Sequence, residues 1–176
     1  ASLFARSEKA QLMIAKNYVR SLCDEDISRI EGKQRDSKIA ESLLKSYARN
    51  ISTIAQKKTL LSDVSGAGEY ALSKDTFTDY ERAFERLFII QNIDAWSPAI
   101  RSKTAIRSTP KRSFCDPSIA VASLGVSPEA MSVQLKTFGF IFEQMCIRDL
   151  RAYTMDLNSH VSYYRDRYGL EADIVL

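Results

Sequence analysis

Thr137-Phe-Gly-Phe-Ile-Phe-Glu143-Gln-Met-Cys-Ile-Arg-Asp149-Leu-Arg-Ala-Tyr153, then Tyr163-Tyr-Arg-Asp-Arg167, then Glu171-Ala-Asp173-Ile-Val-Leu176, read as a helix, a strand, a turn and a second strand. At about 100° per residue, Phe138, Phe142, Met145, Cys146, Leu150, Tyr153 and Leu157 share one broad apolar face. Glu143 falls at the edge of that face and Asp149 within it. A carboxylate in an apolar face needs a partner, because an isolated buried ion is costly. Arg165 or Arg167 would serve Asp149 as a structural ion pair. Val161, Tyr163 and Arg165 alternate with Ser162, Tyr164 and Asp166, the two-residue period of a strand. Tyr168-Gly169 supplies the turn. In the second strand Glu171, Asp173 and Val175 share one face, and Ala172, Ile174 and Leu176 the other.

A helix bearing Glu143 ahead of a hairpin bearing Asp173 can bring two carboxylates to one sheet edge. Two carboxylates are the minimum for holding Mg²⁺ against a phosphodiester. On spacing alone, solvated or structural acids account for the same residues, since ion-pair networks also use them.

Upstream, residues 7–22 read as a helix and residues 37–57 as a stronger one, with Ile39, Leu43, Leu44, Tyr47, Ile51 and Ile54 at helical spacing. Thr59 opens a short helix that ends by Gly66 and Gly68. Ser73 caps a third helix whose Phe77, Tyr80, Phe84, Leu87 and Phe88 form a stripe. Residues 89–96 and 111–116 read as two strands. Three helices followed by a two-stranded wing is the order of a winged helix-turn-helix. Ser127-Pro-Glu starts a connecting helix, with proline at its first position.

Charge is uneven along the chain. Net charge is only +3. From Ala95 to Cys115, however, Arg101, Lys103, Arg107, Lys111 and Arg112 occur without an acid and are interleaved with Ser and Thr. That composition suits phosphate contacts, and the five are expected to be exposed on one side of the wing. The third helix is acidic, with Asp75, Asp79, Glu81 and Glu85, and is a poor visitor to the major groove.

Hydrophobic content of 45% and charged content of 27% are those of a globular protein. Cys23, Cys115 and Cys146 are far apart and lack metal-ligand spacing, as expected of reduced thiols in a cytoplasmic protein. His160 is alone, no phosphate loop occurs, and no apolar run reaches the ~20 residues of a membrane span. The chain starts at Ala1 and ends in a strand, as expected of a fragment.

Several segments resemble the C-terminal region of bacterial and archaeal AAA-type ATP-binding proteins of unknown function. They are Leu43-Leu-Lys-Ser-Tyr-Ala-Arg-Asn, Trp96-Ser-Pro-Ala-Ile-Arg-Ser-Lys, Phe114-Cys-Asp-Pro-Ser-Ile-Ala, Phe138-Gly-Phe-Ile-Phe-Glu-Gln-Met and Tyr164-Arg-Asp-Arg-Tyr-Gly-Leu-Glu-Ala-Asp. The resemblance implies an α/β, mostly helical chain: a connector from an ATPase module over 1–35, a winged helix over 36–116, and the opening αββ layer of a PD-(D/E)XK nuclease-like domain over 117–176. It implies Glu143 and Asp173 as the catalytic, metal-binding acids, with Mg²⁺ as the metal of the complete domain. ATP would belong to the parent protein only. The family's Glu-x-Lys strand would follow Leu176, so this chain alone is expected to be inactive. DNA and the ATPase domain of the same polypeptide are the expected partners, in an oligomer or not, without a membrane. The rival expectation is a protein-interaction module with structural acids and no nucleic-acid binding.

Overall fold

The structure, a computed structural model, describes residues 4, 5, 7–66, 72–98, 108–157, 159–166 and 168–176. It is an α/β chain in which helices dominate and one two-stranded antiparallel sheet closes the C-terminal end. Among the described residues the longer helices are α1 (Glu8–Ser21), α2 (Ser37–Arg49), α3 (Lys57–Gly66), α4 (Lys74–Arg86), α5 (Pro117–Leu124), α6 (Pro128–Val133) and α7 (Leu135–Tyr153). The strands are β1 (Ser162–Arg165) and β2 (Glu171–Val175). Among the described residues no helix is long and apolar enough to cross a membrane.

Local chemistry sets most helix starts. Ser7, Asp36, Ser73, Asp116 and Ser127 are N-caps whose side chains accept from the N–H groups of Ala10, Lys38, Thr76, Ser118 and Ala130 respectively. Each such cap is typically worth about 1 kcal/mol. Pro117 and Pro128 follow two of these caps at a position where no N–H is needed. Gly125 ends α5 at φ 69°, a left-handed turn that glycine adopts freely.

The main core is built on α1, α2, α4 and α5. Leu22, Leu44, Tyr47, Phe77, Phe84, Ile89 and Phe114 are buried in one cluster, and Phe140 and Ile141 of α7 pack on its rim. Tyr47 stacks on Phe77 and meets Phe114 edge-on, with ring centroids 6.5 and 6.3 Å apart. A second, smaller cluster joins Ile93, Ile147, Val161 and Tyr163.

Three expected features differ. The helix expected over 37–57 stops at Arg49, and Ser52 takes φ 58°. Ser52 N–H then donates to the Arg112 carbonyl at 2.8 Å, and Arg112 N–H donates to that of Thr53 at 2.7 Å. Pairing with the strand at 112 therefore replaces two further helical turns. Phe88 does not join the α4 stripe. The helix ends at Arg86, and Phe88 sits at φ 55° with its side chain 79% exposed, while Ile89 and Ile90 enter the core. The face of α7 that was expected to be buried is largely exposed. Gln144 and Ile147 are its buried residues, and Phe138 and Phe142 are exposed, stacked on each other at 6.3 Å. The helix is turned by two anchors: Ile147 in the second cluster and the Gln144 amide, which donates to the Phe114 carbonyl at 3.0 Å.

Extended segments lie in a row. Residues 111–114 bridge antiparallel to 90–93 at Ile90–Phe114 and Ile93–Lys111. Ala95 bridges parallel to Tyr163, and β1 pairs antiparallel with β2. Tyr164 faces Ala172 and Arg165 faces Glu171, with an irregularity between Ser162 and Tyr164. Gly169, at φ 89°, makes the turn between the strands.

Candidate functional site

Lys111 and Arg112 are consecutive on an extended segment, so their side chains leave it on opposite sides. Arg112 shares its side with Phe114 and enters the main core; Lys111 points away, toward α7 and β2. The two cations thereby organise two different polar clusters.

The Lys111 side is the candidate site. Its ammonium donates to Glu143 Oε1 at 2.7 Å and to Asp173 Oδ1 at 2.9 Å. It also stands 5.7 Å from the centroid of the Tyr163 ring, on its face. Tyr163 is held by its hydroxyl, which donates to the Thr109 carbonyl at 2.6 Å. Glu143 comes from the middle of α7 and Asp173 from the middle of β2. Both acids line a cleft of about 330 Å³ with Ser52, Tyr163 and Arg165. The carboxylates thus meet on one nitrogen, well inside the ~8 Å within which a hydrated Mg²⁺ could bridge them.

Exposure is graded across the three. The Lys111 side chain is 7% exposed, Glu143 17% and Asp173 61%. Burial alone would lower the Lys111 pKa, but the hydrogen bonds it donates to Glu143 and Asp173 outweigh it and hold the ammonium above its ordinary range. Burial pushes the Glu143 carboxyl up, against the pull of Lys111.

On the other side, Arg112 Nη1 lies 3.3 Å from Glu81 Oε1 and 3.3 Å from Tyr47 Oη, and its Nε donates to the Ala55 carbonyl at 2.9 Å. The Tyr47 hydroxyl donates to Glu81 at 2.5 Å, and Lys57 pairs with the same carboxylate. Arg112 is 1% and Glu81 6% exposed. Burial, then Glu81, drive the Tyr47 hydroxyl far above its ordinary pKa.

These positions correct the wing as a uniform basic surface. Lys111 and Arg112 are buried and paired, because the alternation that puts Phe114 in the core also turns Arg112 inward. Arg101, Lys103 and Arg107 lie outside the described residues. The Asp149 pairing is also corrected. Asp149 accepts from Arg148 Nη2 at 2.7 Å and Nε at 2.9 Å, with both side chains 38% exposed, so rotation of α7 removes its need for a partner from the sheet. Arg165 instead faces Glu171 across the hairpin, 3.7 Å away. Arg167 lies outside the described residues.

Lys111, expected from the sequence as a phosphate contact, instead closes the Glu143–Asp173 pair, a role that sequence reasoning missed. The available signal was the two-residue period of Lys111-Arg-Ser-Phe114, which gives Lys111 and Arg112 different environments. Among the described residues no three His, Cys, Asp or Glu side chains gather as metal ligands.

The fold and site define a helical α/β protein with a carboxylate pair closed by an internal lysine. Residues 1–130 match the model of DUF8612, a domain of unknown function, and the chain belongs to that family. No curated protein and no solved structure matches it.

Proposed function

We propose that this chain is a DNA-associated module of a AAA-type ATP-binding protein, made of a winged-helix-like unit and the opening of a nuclease-like layer whose acid pair is closed by a lysine. One observation carries the reading: Glu143 and Asp173, the two acids that the resemblance singles out, converge on one cleft from a helix and a strand.

Mg²⁺ does not fit the donor set as folded. The Lys111 ammonium already bonds both carboxylates, and a second cation beside it would be repelled. The closed pair therefore serves here to bind the layer to the helical module, and the DNA contact lies elsewhere on the chain.

A second reading, a protein-interaction module without nucleic-acid binding, is favoured by the burial of Lys111 and Arg112, two of the five cations expected to meet phosphate. A salt series separates the two. With a labelled 20-base-pair duplex, a DNA-associated module binds at about 50 mM salt and loses affinity steeply by about 200 mM. Absence of binding at the lower salt rejects the first reading in favour of the second.

A further inference from the structure

Helices α1 and α2 carry the same cation spacing: Lys9, Lys16 and Arg20 on one, Lys38, Lys45 and Arg49 on the other. Seven and then four residues keep three side chains on one helical face. The two faces are not separate surfaces. A cleft of about 390 Å³ lies where α1, α2 and α5 meet, and Lys16 and Arg20 line one wall and Lys45 the other. The small residues Ala122 and Ser123 of α5 also line it.

Arg49 is held by Asp63 at 3.0 Å, but the cations that line the cleft are weakly committed. Arg20 stands 3.5 Å from Asp24, but the two side chains are 78% and 44% exposed, and such surface pairs contribute little. Lys16 and Lys45 enter no ion pair among the described residues. By contrast two of the four acids of α4 are spent internally: Asp79 holds Lys33 and Arg35, and Glu81 holds Arg112 and Lys57. Free positive charge therefore accumulates on the α1–α2 side.

We infer that the cleft between α1, α2 and α5 is a groove for the phosphate backbone of nucleic acid, with Lys16, Arg20 and Lys45 as its phosphate contacts. The inference rests on the DNA-associated reading and gives it a surface. Phosphate contacts need charge and donors and carry no sequence information, which is what this cleft offers. An acidic protein segment would also need apolar or aromatic anchors to hold it. Among the described residues the apolar side chains lining this cleft are Val19, buried at 8% exposure, and the small Ala122; larger apolar residues, Leu12, Val121 and Pro128, line the adjoining cleft beyond Lys16. Glu41 is the one carboxylate lining the groove and opposes binding.

Fluorescence anisotropy with a labelled 20-base-pair duplex over a salt series tests this on the full chain. Lys16→Gln/Lys45→Gln is expected to bind at least about tenfold more weakly and to lose about two units of the log–log salt slope. Glu41→Gln should tighten binding severalfold, a gain that no purely structural role produces. Lys136→Gln, an exposed site on α7, should change neither. All four positions are exposed, so unchanged melting temperatures are expected alongside. Binding by the double variant equal to that of the unaltered protein overturns the groove and leaves DNA association standing. No binding by the unaltered protein rejects DNA association itself. Displacement of the duplex by polyglutamate at equal charge would overturn the groove in favour of an acidic protein chain.

Discussion

Two neighbouring cations meet opposite fates. Arg112 is enclosed: its guanidinium is shared among Glu81, Tyr47 and the Ala55 carbonyl, with the Glu81 carboxylate also paired to Lys57. Lys111, one residue earlier, is enclosed on the Glu143 side and open on the Asp173 side. The difference follows from what lies on each side of the strand. Inward is a core already filled by Phe77, Phe84 and Phe114, where a charge survives only if fully partnered. Outward is a cleft between α7 and the hairpin, where water reaches one of the two carboxylates. Both cations are buried, so strand parity sets which cluster each one joins, and the two clusters should fail differently when a member is removed.

The largest effect is expected for Arg112→Met. It leaves Glu81 buried beside Tyr47 with only Lys57 as a cationic partner, and breaking a buried pair in this way costs about 3–5 kcal/mol. Chemical denaturation checks it, and a loss below about 1 kcal/mol would mean that the core cluster relaxes as readily as the cleft. Lys111→Met should cost less, about 1–3 kcal/mol, because Asp173 regains water and only Glu143 is left poorly solvated. Adding Glu143→Gln to that variant should recover part of the loss, and a double-mutant cycle reads the coupling.

Titration sharpens the comparison further. The Lys111 pKa is raised in the folded chain above its ordinary 10.5. A raised ammonium contributes stability that is fully present below the unfolded value and is lost as pH rises through the folded one. The stability gap between the unaltered protein and Lys111→Met should therefore hold up to about pH 10 and narrow above it. Thermal melts of both proteins across that range measure it, and a constant gap would show that Lys111 acts through packing alone. The smallest effect is expected for Asp173→Asn. Its carboxylate is 61% exposed, and pairs of that kind contribute about 0–1 kcal/mol.

Legibility in the sequence followed the range of the forces involved. Caps at Ser73 and Ser127 and the hairpin turn at Gly169 depend on residues within one turn of each other, and they were readable directly. That Glu143 and Asp173 could meet was readable from the helix-and-hairpin pattern, and the family resemblance singled the two out. The roll of α7 was not readable, because apolar periodicity marks a face without naming its partner. Here one amide, Gln144, and one isoleucine, Ile147, fix the rotation against elements thirty or more residues earlier. Phe138 and Phe142 are left outside, although their pattern resembles that of core residues. Lys111 was misread for a related reason. A basic run in sequence became two opposite environments once a strand was laid through it.

The position of Lys111 also bears on how this chain can be divided. The family span of residues 1–130 includes the ammonium, while both carboxylates that hold it come later in the chain. The same is true of the Phe114 carbonyl and its donor Gln144, and of the Ser52 hydroxyl and its acceptor at Phe140. A protease cut or a gene truncation after residue 130 would remove these polar partners together with the Arg148, Arg151 and Tyr163 contacts to Asp116, Gln91 and Thr109, and would uncover the Ile93 side of the second core. The two parts are therefore fitted to each other: a different C-terminal layer would satisfy Lys111 only if it brought its own acids to the place where the ammonium reaches.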